Sequence, residues 1–100
     1  MEKQLKGVAT QEQIELWKKK HGDVFKVNVG DSVCYLRKPD RKIMKYYLAT
    51  SDPISAKEVL LVNCWLGGDE DIKTEDELFL GATTVLAEII EIKEAEIKKL

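Results

Sequence analysis

One histidine and two cysteines, thirty positions apart and in no C-x-x-C pair, leave this chain without the ligand set of any structural zinc site. The same scarcity argues against a disulfide framework, and burial as reduced thiols is the expected state of Cys34 and Cys64. No apolar run approaches the ~20 residues that a membrane span needs. The opening stretch MEKQLKGVATQEQ has no apolar segment to act as a signal peptide, so a cytoplasmic, non-secreted protein with no membrane partner is expected. Low-complexity linkers and internal repeats are missing as well. At 100 residues the chain has length for one hydrophobic core.

Charge is what the sequence has in quantity. It carries 34% charged residues, and they are unevenly placed. Residues 1–50 hold eleven Lys/Arg against six Asp/Glu, and residues 51–100 hold five against twelve. Halves of opposite sign lead to two expectations: solvated faces that keep the protein soluble, or head-to-tail attraction giving a homo-oligomer.

Along the chain, residues 1–9 read as a flexible N-terminal arm and residues 10–100 as a single α+β domain. Thr10 and Gln13 form a capping box ahead of a helix whose Ile14, Trp17 and His21 share one face. Lys18 to His21 suit the helix's negative end, and Gly22 ends it. Phe25, Val27 and Val29 then alternate with polar residues, and Gly30-Asp31 leads into a return strand over 32–38, which predicts a two-stranded antiparallel hairpin packed against helices. Pro39 opens a second helix and Asp52-Pro53 a third, with Ala56, Val59, Leu60, Asn63 and Cys64 on its buried stripe and Trp65 to Gly68 as its terminus. The acidic stretch DEDIKTEDE reads as a loop feeding another capping box, Thr74 with Glu77. From there to Leu100 only Gly81 interrupts a helical pattern, predicting a long C-terminal helix of roughly 40 Å. Leu78, Ala82, Val85, Ile89 and Ile92 make one stripe on it, and Phe79, Leu86, Ile90 and Ile97 a second. The predicted order is α-β-β-α-α-α.

Chemistry-bearing patterns are few. His21 and Cys34 make a nominal base and thiol, but no orienting group or oxyanion motif accompanies them. Asp69 and Asp71 match the first two ligands of an EF-hand loop; Lys73 then occupies the third position and Leu80 falls where the bidentate glutamate belongs. Gly67-Gly68 lacks the lysine of a phosphate loop. No enzyme, metal or cofactor is expected. Two surface features remain as candidates for partner binding. One is the basic cluster Arg37, Lys38, Arg41, Lys42 and Lys45 with Tyr46 and Tyr47, a combination able to grip a nucleic-acid backbone and stack bases. The chain's net charge of −2 runs against a dedicated nucleic-acid domain and leaves a solvated helix face, or a patch for an acidic protein partner, as the better readings. The other is the apolar surplus of the last helix, which is either covered by the second and third helices or free to dock a partner, with Ile90, Ile97 and Leu100 as the candidate contacts.

The order of these signals, with Tyr35-Leu36-Arg37-Lys38-Pro39 before one helix and Cys64-Trp65-Leu66-Gly67-Gly68-Asp69 closing another, resembles the small tail assembly chaperones of long-tailed bacteriophages and prophages over about residues 10–100. The resemblance implies a non-enzymatic protein of the bacterial host cytoplasm. It implies binding to the tape measure protein, which it keeps soluble while tail tube protein subunits polymerise around it. A connector-type structural component of the particle and a small nucleic-acid-binding accessory protein are the alternatives.

Overall fold

The computed structural model describes residues 4–90 and 95–100. Helix α1 (Gln11–His21) starts where the Thr10 hydroxyl accepts the Gln13 N–H at 3.1 Å, and stops at Gly22 after four consecutive basic residues. Strands β1 (Val24–Val29) and β2 (Ser32–Arg37) form the expected antiparallel hairpin, with Val29 opposite Ser32 across Gly30-Asp31. That register sets Phe25 opposite Leu36 and Val27 opposite Cys34 on one face, and Lys26 opposite Tyr35 and Asn28 opposite Val33 on the other.

The sheet has three strands, a correction to the two-stranded expectation. Trp65–Gly68 is strand β3, antiparallel to β2, which becomes the central strand. Cys34 pairs with Gly68 and Tyr35 with Gly67, with a bulge between Tyr35 and Leu36. The glycines that read as a helix terminator are there because the strand approaches its neighbours so closely. A Cβ at Gly67 would stand 2.9 Å from the Trp17 ring, and one at Gly68 2.5 Å from the Cys34 Cα. Gly68 also takes φ 137°, a conformation that side chains resist. Beyond β3, Lys6 of the N-terminal arm forms a bridge to Ser32. Its N–H donates to the Asp31 carbonyl and its carbonyl accepts the Val33 N–H, both at 2.8 Å.

Helix α2 (Arg41–Ala49) begins two residues later than Pro39 suggests. Asp40 is the N-cap, its carboxylate accepting the Ile43 N–H at 2.8 Å, and Pro39 precedes it. Asp52 and Pro53 start α3 (Pro53–Cys64) as expected, with Asp52 accepting from the Ser55 backbone and hydroxyl. Ala56, Leu60, Leu61 and Cys64 face inward; Asn63 is exposed and donates to the Val59 carbonyl instead.

The acidic stretch is not a loop. Ile72 is fully buried and draws Asp71–Thr74 into a short helix, α4, so Thr74 closes one helix and caps none. Helix α5 (Asp76–Thr83) follows, capped by Glu75 without a side-chain hydrogen bond. The long C-terminal helix is not observed. The Thr83 and Thr84 hydroxyls donate to the carbonyls of Leu80 and Gly81 at 2.6 and 2.7 Å, competing for the backbone acceptors at the helix end. A single 3-10 turn, Leu86–Ile89, comes next, and residues 95–100 are neither helix nor strand. Ile92 lies outside the described residues. The order is therefore α-β-β-α-α-β-α-α, a small α+β fold in three layers. On one face of the sheet, α1 sets Trp17 against Tyr35 with ring centroids 5.5 Å apart. On the other, Cys34, Leu36, Leu60, Leu61, Ile72 and Leu86 make the fully buried centre of the core, each aliphatic side chain contributing about 1.5–3 kcal/mol by leaving water.

Candidate functional site

The basic cluster divides according to the element that carries each cation. Arg37 ends β2, half-buried, with its guanidinium 3.6 Å from the Asp40 carboxylate. Lys38 is 2.9 Å from Asp23, the residue that faces it when the hairpin register is extended by one step. The cations of α2 stand differently. Ile43 is buried and Tyr47 packs half-buried against the core, so this helix turns Arg41, Lys42, Lys45 and Tyr46 outward. Among the described residues, none of those three cations makes an ion pair. The Asp40 carboxyl is held below the usual carboxylate range, first by its hydrogen bond from the Ile43 N–H and further by Arg37. The cap and the ion pair thus share one ionised group. Tyr47, grouped by sequence with Tyr46, belongs to the core side. Leu48, 74% exposed and three residues beyond Lys45, belongs to the surface and was missed. Its signal was its position off the Ile43/Tyr47 stripe.

The apolar candidates also separate. Ile90 packs half-buried against the core cluster just past the 3-10 turn. Ile97 and Leu100 are fully exposed, with Glu96, Lys98 and Lys99 as exposed neighbours. They share no helix stripe with Ile90. A groove of about 240 Å³ runs beside β1, one of the two edge strands of the sheet, with Phe25, Val27, Val85 and Ile89 among its walls.

The polar residues singled out for catalysis or metal binding have structural surroundings. Cys34 points into the core, whereas α1, with His21 at its end, covers the opposite face of the sheet, so the two never meet. Burial pushes the Cys34 thiol up to about 12, against the pull of the Lys73 charge, and the Cys64 thiol up to about 11. Both are free and fully buried. Asp69 accepts the Ser32 hydroxyl at 2.6 Å and the Asp71 N–H at 3.1 Å, contacts that hold its carboxyl low and tie α4 to the sheet. Among the described residues no group of His, Cys, Asp and Glu is placed to hold a metal ion, and no helix is long and apolar enough to cross a membrane.

The chain matches no protein-family model, no curated protein and no solved structure.

Thiol chemistry gives a direct check of this arrangement. Native protein at pH 8 is expected to resist alkylation at both cysteines and to react at both once unfolded in denaturant. Stability should also fall as the pH rises past about 9, where the unfolded thiols ionise while the native ones stay neutral. Prompt labelling of either cysteine in the native state would contradict the packing described.

Proposed function

We propose that the chain is a non-enzymatic assembly chaperone of the kind encoded by long-tailed bacteriophages, one that binds the tape measure protein in the host cytoplasm and keeps it soluble while tail tube subunits polymerise. The observation that carries this reading is the pair Ile97 and Leu100, fully exposed apolar side chains held among charged ones. Apolar groups set in a strongly charged surface can cover an aggregation-prone helix and keep the complex in solution. The resemblance along Tyr35–Pro39 and Cys64–Asp69 supports the same role.

The test is co-expression with the longest apolar, helical protein encoded nearby, with and without the chain. The soluble fraction of that protein should rise severalfold and a complex should co-purify. Ile97→Ser combined with Leu100→Ser should abolish the gain without lowering the chain's own melting temperature, because neither residue packs against the fold. An unchanged gain with that double variant would remove these residues from the contact. No gain with the unaltered chain would remove the chaperone role.

One observation favours a second reading. Tyr46, 54% exposed, stands among three cations that have no ion pair among the described residues, which suits an accessory protein that holds a nucleic-acid backbone. Binding to oligonucleotides that weakens steeply with salt would support it. Recovery of the chain from finished particles would favour a connector-type structural component.

A further inference from the structure

Two exposed helix faces of this chain complement each other. On α2, Arg41 and Lys45 are spaced one turn apart and Leu48 follows three residues later, so the leucine stands at the end of a basic stripe, with Lys42 and Tyr46 alongside. On α5, Asp76 and Glu77 stand four and three residues before Leu80, which is 49% exposed and ends an acidic stripe. Among the described residues Arg41, Lys42, Lys45, Glu75, Asp76 and Glu77 have no ion-pair partner in their own chain. Each face therefore has an exposed leucine beside a charged stripe, and the two stripes have opposite signs.

We propose that the outer face of α2 docks on the outer face of α5 of a second copy. With the helices side by side and parallel, Leu48 lies against Leu80 and Lys45 falls opposite Glu77, because each charge precedes its leucine by three residues. Arg41 and Lys42 stand one turn earlier, one to three positions short of Glu75 and Asp76 at the start of α5, which their long side chains approach. An apolar contact surrounded by charges of opposite sign is the ordinary composition of a protein interface. The two surfaces differ, so copies can dock either reciprocally, closing a two-fold pair, or head to tail. A reciprocal pair uses both faces of both copies and stops at the dimer, whereas head-to-tail docking leaves one face unused and continues into a ring or an open chain. This reading is independent of the chaperone role, since it needs neither Ile97 nor Leu100.

The experiment is sedimentation velocity on the full chain at low and high salt, with Lys45→Glu and Glu77→Lys measured alone and mixed. The unaltered chain is expected to form species beyond the monomer at low salt and to dissociate at ~1 M salt, where screening acts within about 3 Å. Each variant alone should associate about tenfold or more weakly, because like charges then face each other. The mixture should recover association, since a chain with an acidic α2 can dock on one with a basic α5. Circular dichroism of each variant checks that the fold is kept, and Leu48→Ser supplies a charge-neutral variant with the same expected loss. A monomer at low salt would overturn the proposal, as would association indifferent to Lys45→Glu, to Glu77→Lys or to their mixing. A monomer that binds oligonucleotide through Lys45 would overturn it in favour of a nucleic-acid face on α2.

Discussion

Gly68→Ala is expected to destabilise the protein by about 2–6 kcal/mol, a large share of the ~5–15 kcal/mol that holds a domain folded. Two costs combine. The residue has φ 137°, which a side chain adopts only under strain of about 1–3 kcal/mol. The new Cβ would also sit 2.5 Å from both the Cys34 Cα and the Val33 carbonyl oxygen. Those atoms belong to the central strand, which is bonded to neighbours on both edges and cannot withdraw without breaking a ladder. Overpacking of this kind costs about 1–3 kcal/mol more. Gly22→Ala is the matched control. Gly22 has φ 84°, but nothing lies within 4 Å of the position of its Cβ, so only the backbone cost of about 1–3 kcal/mol applies. Denaturant unfolding of the two variants separates strain from steric overlap. Equal losses would mean that β3 does not press against β2 as described.

The second large effect is expected at Ile72. Ile72→Ala should cost about 2–5 kcal/mol, the range for removing most of a buried aliphatic side chain. Its burial is complete although Asp69, Glu70 and Asp71 precede it. A four-residue helix has too few internal hydrogen bonds to persist unaided. What holds α4 is Ile72 in the core, the Asp69 carboxylate accepting the Asp71 N–H, and Lys73, whose ammonium lies 4.3 Å from the Trp65 ring centre. Losing the first should loosen the others, so Trp65 fluorescence and amide protection over 71–75 should change together with stability. A cost below ~1 kcal/mol with unchanged protection would show that α4 is held by its polar contacts alone.

Much of the fold was legible because local chemistry decides it. Thr10, Asp52-Pro53 and the alternation around Gly30-Asp31 each act over a few residues, and each set its element where expected. The parts that were not legible depend on distant groups. Nothing within Trp-Leu-Gly-Gly signals a strand. It is one because β2 has a second edge to fill and the Trp17 ring leaves no room for side chains. The helix end at Thr83 was hidden because a threonine pair is tolerated in many helices, and here both hydroxyls turn back onto carbonyls. In the basic cluster, the Lys38–Asp23 pair could have been read from the hairpin register, whereas the inward turn of Tyr47 needed the helix's packing side. Leu48 and Leu80 escaped notice as surface residues because apolar residues are first assigned to a core.

The passage from α3 to β3 has no loop: Cys64 is the last residue of the helix and Trp65 the first of the strand. A connection without slack behaves as a rigid crank. Any tilt of the α2–α3 pair must move the edge strand with it, and through that strand the Gly67 seat of the Trp17 ring on the far side of the sheet. Adding or deleting one residue there could not be absorbed locally, because a single step turns every later strand side chain to the opposite face. At this junction the lengths of helix and strand are fixed against each other.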